Sequence, residues 1–236
     1  MANKNVEDRV GSSGAEVCLQ EGNCLVRIIE KEDDLVKAFR LRHRVFAEDL
    51  KWVPTTRNEL EIDGYDAAAV HVGVFDGEDR LLAYVRVLTA ERRYMLEDEF
   101  RCVLGPEGAL RKEGDSCELT RFCVDPHARE QEVATAFGTF PLFMLLFKGV
   151  YHWSAGQGAP VLYAVTDRIV YKLLCMKGFP CERLGPSVRM PDGVVAVGLR
   201  MDWRECLRSN AEKRPAMAAW YAQNSISLLS SAMATA

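Results

Sequence analysis

No two cysteines in this chain are spaced Cys-x-x-Cys, although it has eight of them. None stands with a histidine at zinc-ligand spacing, and the four histidines are scattered, so neither a zinc module nor a His-rich metal site is expected. Several cysteines lie in apolar runs, such as Cys123 in Arg-Phe-Cys-Val and Cys175 in Lys-Leu-Leu-Cys-Met, which predicts buried, reduced thiols. No run approaches the roughly 18 apolar residues of a membrane span. The first residues, Met-Ala-Asn-Lys-Asn-Val-Glu-Asp-Arg-Val, lack the apolar stretch of a secretory signal. Together these predict a cytoplasmic protein with no membrane span. Excess positive charge is missing as well: the formal net charge is −4, which gives no global basic field for nucleic acid.

What is present suits one domain. The chain has 236 residues, 48% hydrophobic and 27% charged, ample for a single core. Residues 1–23 are polar with Gly and Ser and are expected to form a loose tail; 24–205 form the domain; 206–236 are expected to be a helical extension fading into an Ala/Ser-rich tail. Strands are predicted at 24–30, 68–76, 80–89, 116–125, 159–165 and 192–203, with a hairpin-like connection at Gly77-Glu78-Asp79. Helices are predicted from Asp33 or Asp34, as cap, to about Leu50; over 94–104; from Glu130 to about Trp153 with a kink near Pro141; and from Asp167 to Lys177, stopped by Gly178. The order predicts an α/β (α+β) domain, a mixed sheet with helices on its faces.

Four blocks between Arg42 and Phe122 embed ionisable residues in apolar surroundings. Arg42 and Phe46 are four apart and share a helix face, with Trp52 just beyond. A snorkelling arginine beside core aromatics fits; so does a guanidinium and two rings holding a cation that also carries a carboxylate. Glu61, Asp63 and Asp66 crowd three carboxylates into six residues, as a solvated turn would; a buried pair between Asp66 and Arg86 fits equally. Glu118 and Arg121 sit in one strand at a separation that points them to opposite faces. A cross-strand salt bridge explains them; if both serve one site, the strand must bulge. A glutamate among apolar neighbours has its pKa raised, which makes it a better base.

These blocks resemble the acyl-homoserine-lactone synthases, the autoinducer synthases of bacterial quorum sensing, over about residues 25–200. Arg42, Phe46 and Trp52 match the family's Arg-x3-Phe-x5-Trp. Glu61, Asp63, Tyr65 and Asp66 match Glu-x-Asp-x-Tyr-Asp. Arg86, Tyr94, Met95, Leu96 and Phe100 match the next block, and Glu118, Leu119, Arg121 and Phe122 match Glu-Leu-Ser-Arg-Phe with Thr120 replacing Ser. Thr89 and Arg93 stand where the family commonly has prolines.

The resemblance implies a fold like that of the GNAT superfamily of N-acetyltransferases, with a mixed, mostly antiparallel sheet. The coenzyme A turn of that superfamily, Arg-x-x-Gly-x-Gly/Ala, is absent after Val124, which argues against an ordinary acetyltransferase. The implied substrates are S-adenosyl-L-methionine and an acyl thioester on acyl carrier protein or coenzyme A. No cofactor or metal is expected, because S-adenosyl-L-methionine is consumed as a substrate. The implied catalytic residues are Glu118 as base, Asp63 and Arg121. Arg42, Phe46, Trp52, Asp63, Asp66 and Arg86 are the implied S-adenosylmethionine site, and Phe100, Phe122, Met144 and Thr166 the implied acyl pocket. Lys148, Arg168, Lys172, Lys177, Arg183 and Arg189 are either a basic dock for an acidic carrier protein or scattered solubilising charge. The alternative function is an N-acyltransferase of the same fold that acts on another amine without closing a lactone.

Overall fold

A computed structural model describes residues 17–106 and 110–223. The expected loose tail ends earlier than residue 23, because β1 (Cys18–Glu21) pairs antiparallel with β2 (Cys24–Ile28) and buries Leu19. Residues 1–16 and the Ala/Ser-rich stretch from 224 lie outside the described residues. β3 (Val70–Phe75) and β4 (Leu81–Thr89) form the expected hairpin. Its turn is closed by the Asp76 carboxylate, which accepts the amides of Glu78 at 3.0 Å and Arg80 at 2.9 Å.

The helix expected to run to Leu50 is α1 (Glu32–Arg42), continued by a π-helical turn over His43–Asp49. Neither Asp33 nor Asp34 caps it. Lys31 holds the cap position, and Asp34 instead pairs with Arg27 and Lys37. The expected helix over 94–104 is two short 3-10 turns, Met95–Glu97 and Arg101–Val103.

The largest difference lies between 130 and 141. The predicted helix is replaced there by a small hairpin, β6 (Glu132–Thr135) and β7 (Gly138–Pro141), and only Leu142–Gly156 is helical (α2). Thr135 Oγ1 accepts the Phe137 amide and donates to the Gly138 carbonyl, which closes the turn. Pro141 therefore does not kink a helix; it stands at the cap, where its missing N–H costs nothing.

β5 (Ser116–Val124), β8 (Val161–Asp167) and α3 (Arg168–Met176) follow the predicted pattern. Asp167 caps α3 by accepting two amides, and Gly178, at φ 99°, ends it in the left-handed region. Two short strands, β9 (Glu182–Arg183) and β10 (Val188–Arg189), precede β11 (Val195–Asp202). The expected C-terminal helical extension is α4 (Trp203–Lys213) and α5 (Pro215–Ala222).

Among the described residues the main sheet has nine strands in the order β1-β2-β3-β4-β5-β8-β11-β10, with β9 also on β11. Every pairing is antiparallel except β5–β8. α2 packs on the face carrying Val72, Val74, Val85 and Val87. α1 packs on the other face, against Phe75, Tyr84 and Cys123. α2 comes so close to β2 that a Cβ at Gly149 would lie 2.5 Å from Val26 Cγ1, and Val26 is fully buried and stiff at χ1. Gly149→Ala is expected to lower stability by roughly 1–3 kcal/mol, as overpacking does. The check is the urea midpoint; an unchanged midpoint would mean that this contact is not tight.

Candidate active site

Charge in the interior fixes the site. Buried carboxylates and guanidinium groups are tolerated only when each finds partners. Here three of each interlock. Arg42, fully buried on α1, gives Nε to Glu61 at 2.5 Å and Nη1 to Asp66 at 2.5 Å. Arg86, fully buried on β4, gives one nitrogen to Asp63 at 2.5 Å and Asp66 at 2.7 Å, and its Nε to Thr120 Oγ1 at 2.8 Å. Arg121 gives Nη2 to Glu61 at 3.0 Å and Asp63 at 2.9 Å. The irregular segment between Trp52 and Asp66 thereby gains the anchors that its sequence does not supply through regular structure.

Burial alone would raise the pKa of Asp63 and Asp66. Burial is the largest single influence, but it is outweighed at Asp63 by the hydrogen bond and charge of Arg86 together with the charge of Arg121 and the Tyr65 amide, and at Asp66 by the hydrogen bond and charge of Arg42 together with the Asp63 amide and the charge of Arg86, so both lie below the ordinary carboxylate value. Their stabilising contribution is therefore complete above roughly pH 4 and is lost as pH falls through the lower folded values.

Glu118 and Arg121 face one cavity because β5 bulges. Tyr84 opposes Cys123 while Arg86 opposes Thr120, so Val85 alone faces both Arg121 and Phe122. Arg121 sits at φ 53°, an uncommon conformation for a side-chain-bearing residue. The extra residue reverses the alternation that would have kept the two side chains apart. Glu118 is fully buried, and its carboxylate accepts the amides of Met95 at 2.6 Å and Leu96 at 3.0 Å. Burial pushes its pKa up to about 8, against the opposing effect of those two amides.

β5 pairs with β8 only from Ser116–Val161 to Leu119–Ala164, after which the two strands separate. A cavity of about 690 Å³ opens in that gap. On the α1 face it is lined by Phe46, Trp52, Asp63, Glu118 and Arg121. The Phe46 and Trp52 rings lie 6.0 Å apart, and the Arg121 guanidinium lies 5.7 Å from the Phe46 ring centre. The π-helical turn sets this wall: Trp52 N–H donates to the Phe46 carbonyl at 2.8 Å. On the other face Phe122 stacks on Phe147 at 5.2 Å, and Phe143 meets both edge-on.

Most of the expected site residues come together. Phe46, Trp52, Asp63, Glu118, Arg121, Phe100, Phe122 and Thr166 line the one cavity. Arg42, Asp66 and Arg86 do not; they stand behind it, and the Arg42 fork is occupied by Glu61 and Asp66 rather than open to a ligand. Met144 is packed in the core and does not line the cavity. Phe143 and Phe147, on the same helix, take that place. α2 is apolar nearly all round, so periodicity alone does not reveal which side faces the cavity. Lys148 is not a surface charge: it is fully buried, 2.7 Å from Glu21. Arg168, Lys172, Arg183 and Arg189 are exposed.

A mixed sheet splayed between two parallel strands around a through-going cavity, with a bulged strand beside it, is the N-acetyltransferase type of fold. The match to solved structures agrees. TofI, solved in a ternary complex with an inhibitor and MTA, superposes with a TM-score of 0.64 at 22% identity, over 83% of this chain and 96% of that one. BjaI, a CoA-dependent acyl-homoserine lactone synthase solved with SAM and isopentyl-CoA, gives 0.62 at 21% identity, over 80% of this chain and 92% of its own. In sequence, the acyl-homoserine-lactone synthase of Vibrio anguillarum is 31% identical over 179 residues, 75% of this chain and 90% of the relative. The autoinducer synthase family model matches residues 27–208, so the chain belongs to the autoinducer synthase family, a family of acyltransferases.

The lattice has a measurable consequence. Asp66 holds two buried guanidinium groups, so Asp66→Ala leaves both short of a partner. The expected cost is roughly 3–5 kcal/mol, as for other broken buried pairs, read by denaturant unfolding. A loss below about 1 kcal/mol, typical of exposed pairs, would show that the lattice contributes little.

Proposed function

We propose that this enzyme joins an acyl thioester to S-adenosyl-L-methionine and closes the product to an acyl-homoserine lactone, releasing methylthioadenosine. The observation that carries this reading is the single cavity with two chemically different ends. Its aromatic and ionic end suits a sulfonium amino acid: Phe46 and Trp52 offer ring faces to the cation. Its phenylalanine-lined end suits an acyl chain. That BjaI was solved with SAM and isopentyl-CoA, and TofI with MTA, supports the same choice of substrates and product.

Glu118 is the general base. The incoming ammonium must lose a proton before its nitrogen attacks the thioester carbonyl. A carboxylate poised near pH 8 matches that task better than an ordinary one. Nitrogen attack expels the thiol and forms the amide. The substrate carboxylate then attacks the carbon bearing the sulfonium; the C–O bond forms as the C–S bond breaks, and methylthioadenosine leaves. Asp63 and Arg121, already paired at 2.9 Å, line the wall at this point and fix the amino acid. Arg42, Asp66 and Arg86 act through them as positioning residues.

Phe100 and Phe122 line the acyl subsite with Phe143 and Phe147. Thr166 also faces the cavity, with its hydroxyl donating to the Asp167 carbonyl at 2.7 Å. The donor thioester is carried by acyl carrier protein or by coenzyme A. Both are anionic, and the exposed Arg168, Lys172 and Arg183 flank the cavity-lining end of β8 and α3. S-adenosyl-L-methionine is consumed, so it is a substrate and not a cofactor. Both substrates are products of cytoplasmic metabolism, and we place the enzyme in the cytoplasm.

Methylthioadenosine release, followed by chromatography together with lactone formation, tests the reaction; acyl transfer without methylthioadenosine would indicate an N-acyltransferase instead. Because Glu118 must be ionised to act, kcat/KM is expected to rise roughly tenfold per pH unit below about pH 8 and then level off. Glu118→Gln should lower kcat by roughly 100-fold or more and abolish that limb. Retention of the limb in the variant would assign it to another group.

A further inference from the structure

Two carboxylates share three successive amides beside β5. Tyr94 N–H donates to Glu97 at 2.8 Å, while Met95 N–H and Leu96 N–H donate to Glu118 at 2.6 and 3.0 Å. Like charges therefore stand side by side on one short turn. Lys112 balances the outer one: its Nζ donates to Glu97 at 2.8 Å and to the Arg92 carbonyl at 2.6 Å. That ammonium also lies 4.1 Å from the Tyr94 ring centre. Tyr94 is fully buried, and its hydroxyl hydrogen-bonds Ser116 Oγ at 3.2 Å, at the start of β5. Glu97 and Lys112 thus grip the turn at Tyr94 and Arg92, and the turn grips Glu118. Neither Glu97 nor Lys112 lines the cavity.

We propose that Glu97 and Lys112 are a positioning pair for Glu118: they fix the Tyr94–Leu96 turn that holds its carboxylate, and they keep that turn electrically neutral beside it. The importance of the pair for catalysis rests on reading Glu118 as the general base. Its hold on the Glu118 carboxylate does not, because the chain of hydrogen bonds from Lys112 through Glu97 and the turn stands without any substrate. An outer shell of this kind orients the group that does the chemistry and adjusts its basicity.

The charges around Glu118 make the pair measurable. Burial opposes ionisation of Glu97, but the Lys112 hydrogen bond, the Tyr94 amide and the charges of Lys112 and Arg93 outweigh it, so Glu97 lies below the ordinary carboxylate value and stays charged. The other groups around Glu118 are Arg86 of β4, Arg121 and Cys117 of β5, Asp63 at the cavity wall, Tyr94 of the turn and Tyr163 opposite it on β8. Arg86, Arg121 and Asp63 are paired within the lattice. Burial raises the pKa of Cys117, Tyr94 and Tyr163, which stay uncharged. Glu97 and Lys112 together add no net charge. Removing Glu97 leaves a lone cation, which favours the Glu118 carboxylate; removing Lys112 leaves a lone anion, which disfavours it. The two variants must therefore act in opposite directions.

The test follows the Glu118 side-chain carboxyl by carbon NMR in the full-length chain, with Glu118→Gln to assign the signal, beside the pH dependence of kcat/KM. Glu97→Gln keeps an acceptor for the Tyr94 amide and is expected to move the Glu118 midpoint down by about half a pH unit. Lys112→Met should move it up by about as much. The double variant, neutral again, should return close to the parent. Glu97→Ala, which also removes the Tyr94 acceptor, should lower kcat above the midpoint by about tenfold, as loss of an outer orienting group does. General loosening of the turn would shift both single variants the same way. Shifts of one sign, unshifted midpoints in folded variants, or a double variant that does not return would overturn the electrostatic role. An undiminished kcat in Glu97→Ala would overturn the positioning role. Carboxyl midpoints that move as expected while the kcat/KM profile does not follow them would count against Glu118 as the base, and not against the pair.

Discussion

Three arginines, two of them fully buried, and three carboxylates bonded to one another are the constraint on which the rest of the site depends. Each guanidinium of this set is shared between carboxylates that come from one irregular segment, while the arginines come from α1, β4 and β5. The segment around Glu61–Asp66 has little regular backbone bonding to hold it. Its place against the sheet is determined by charge pairing in a setting from which water is largely excluded. Because desolvating either sign alone is costly, the six groups act as a unit. That unit also determines which polar atoms remain free at its edge. Asp63 and Arg121 reach the cavity, while Arg42, Asp66 and Arg86 are fully engaged behind it.

The second constraint is geometric. A parallel pair of strands that separates after four residues makes a gap through the sheet, and a bulge in one of them rotates Arg121 to the side of Glu118. The cavity connects the two faces of the sheet, so its ends inherit different surroundings. One is built by the ionic lattice and the π-helical turn with Phe46 and Trp52, the other by the phenylalanines of β5 and α2. A reaction between a charged amino-acid derivative and a greasy thioester needs both ends in line, with a base between them. Glu118 lies on β5 before the strands part, held by the amides of Met95 and Leu96.

Much of this was legible in the sequence, for physical reasons. Ionisable residues spaced through apolar segments are expensive unless paired, and so Arg42, Asp63, Asp66, Arg86, Glu118 and Arg121 stood out. The parity of Glu118 and Arg121 already required a bulge if both served one site. What remained hidden depended on packing that local sequence does not encode. Glu130–Pro141 has a composition that suits a helix, yet Gly138 and the Thr135 turn make a hairpin of it. Lys148 looks like a surface charge until Glu21, in a strand assigned to a loose tail, covers it. Met144 and its neighbours Phe143 and Phe147 cannot be sorted by periodicity on a helix that is apolar on most sides. Arg42 carries the same sequence signal as the residues of the wall, but its position behind the wall follows only from the partners it meets.

If the lattice builds the binding wall, loosening it from behind must weaken binding in front. Arg86 is fully buried, touches Asp63 and Asp66, and does not line the cavity. Arg86→Lys keeps the charge but removes the Nε that anchors the guanidinium on Thr120 while Nη1 bridges those carboxylates. The most direct measurement is the equilibrium affinity of this variant for S-adenosyl-L-methionine by titration calorimetry, with circular dichroism to verify folding. The expected result is a folded protein whose affinity falls by roughly tenfold, about 1.4 kcal/mol. A folded variant that binds as tightly as the parent would contradict the dependence of the site on its ionic frame.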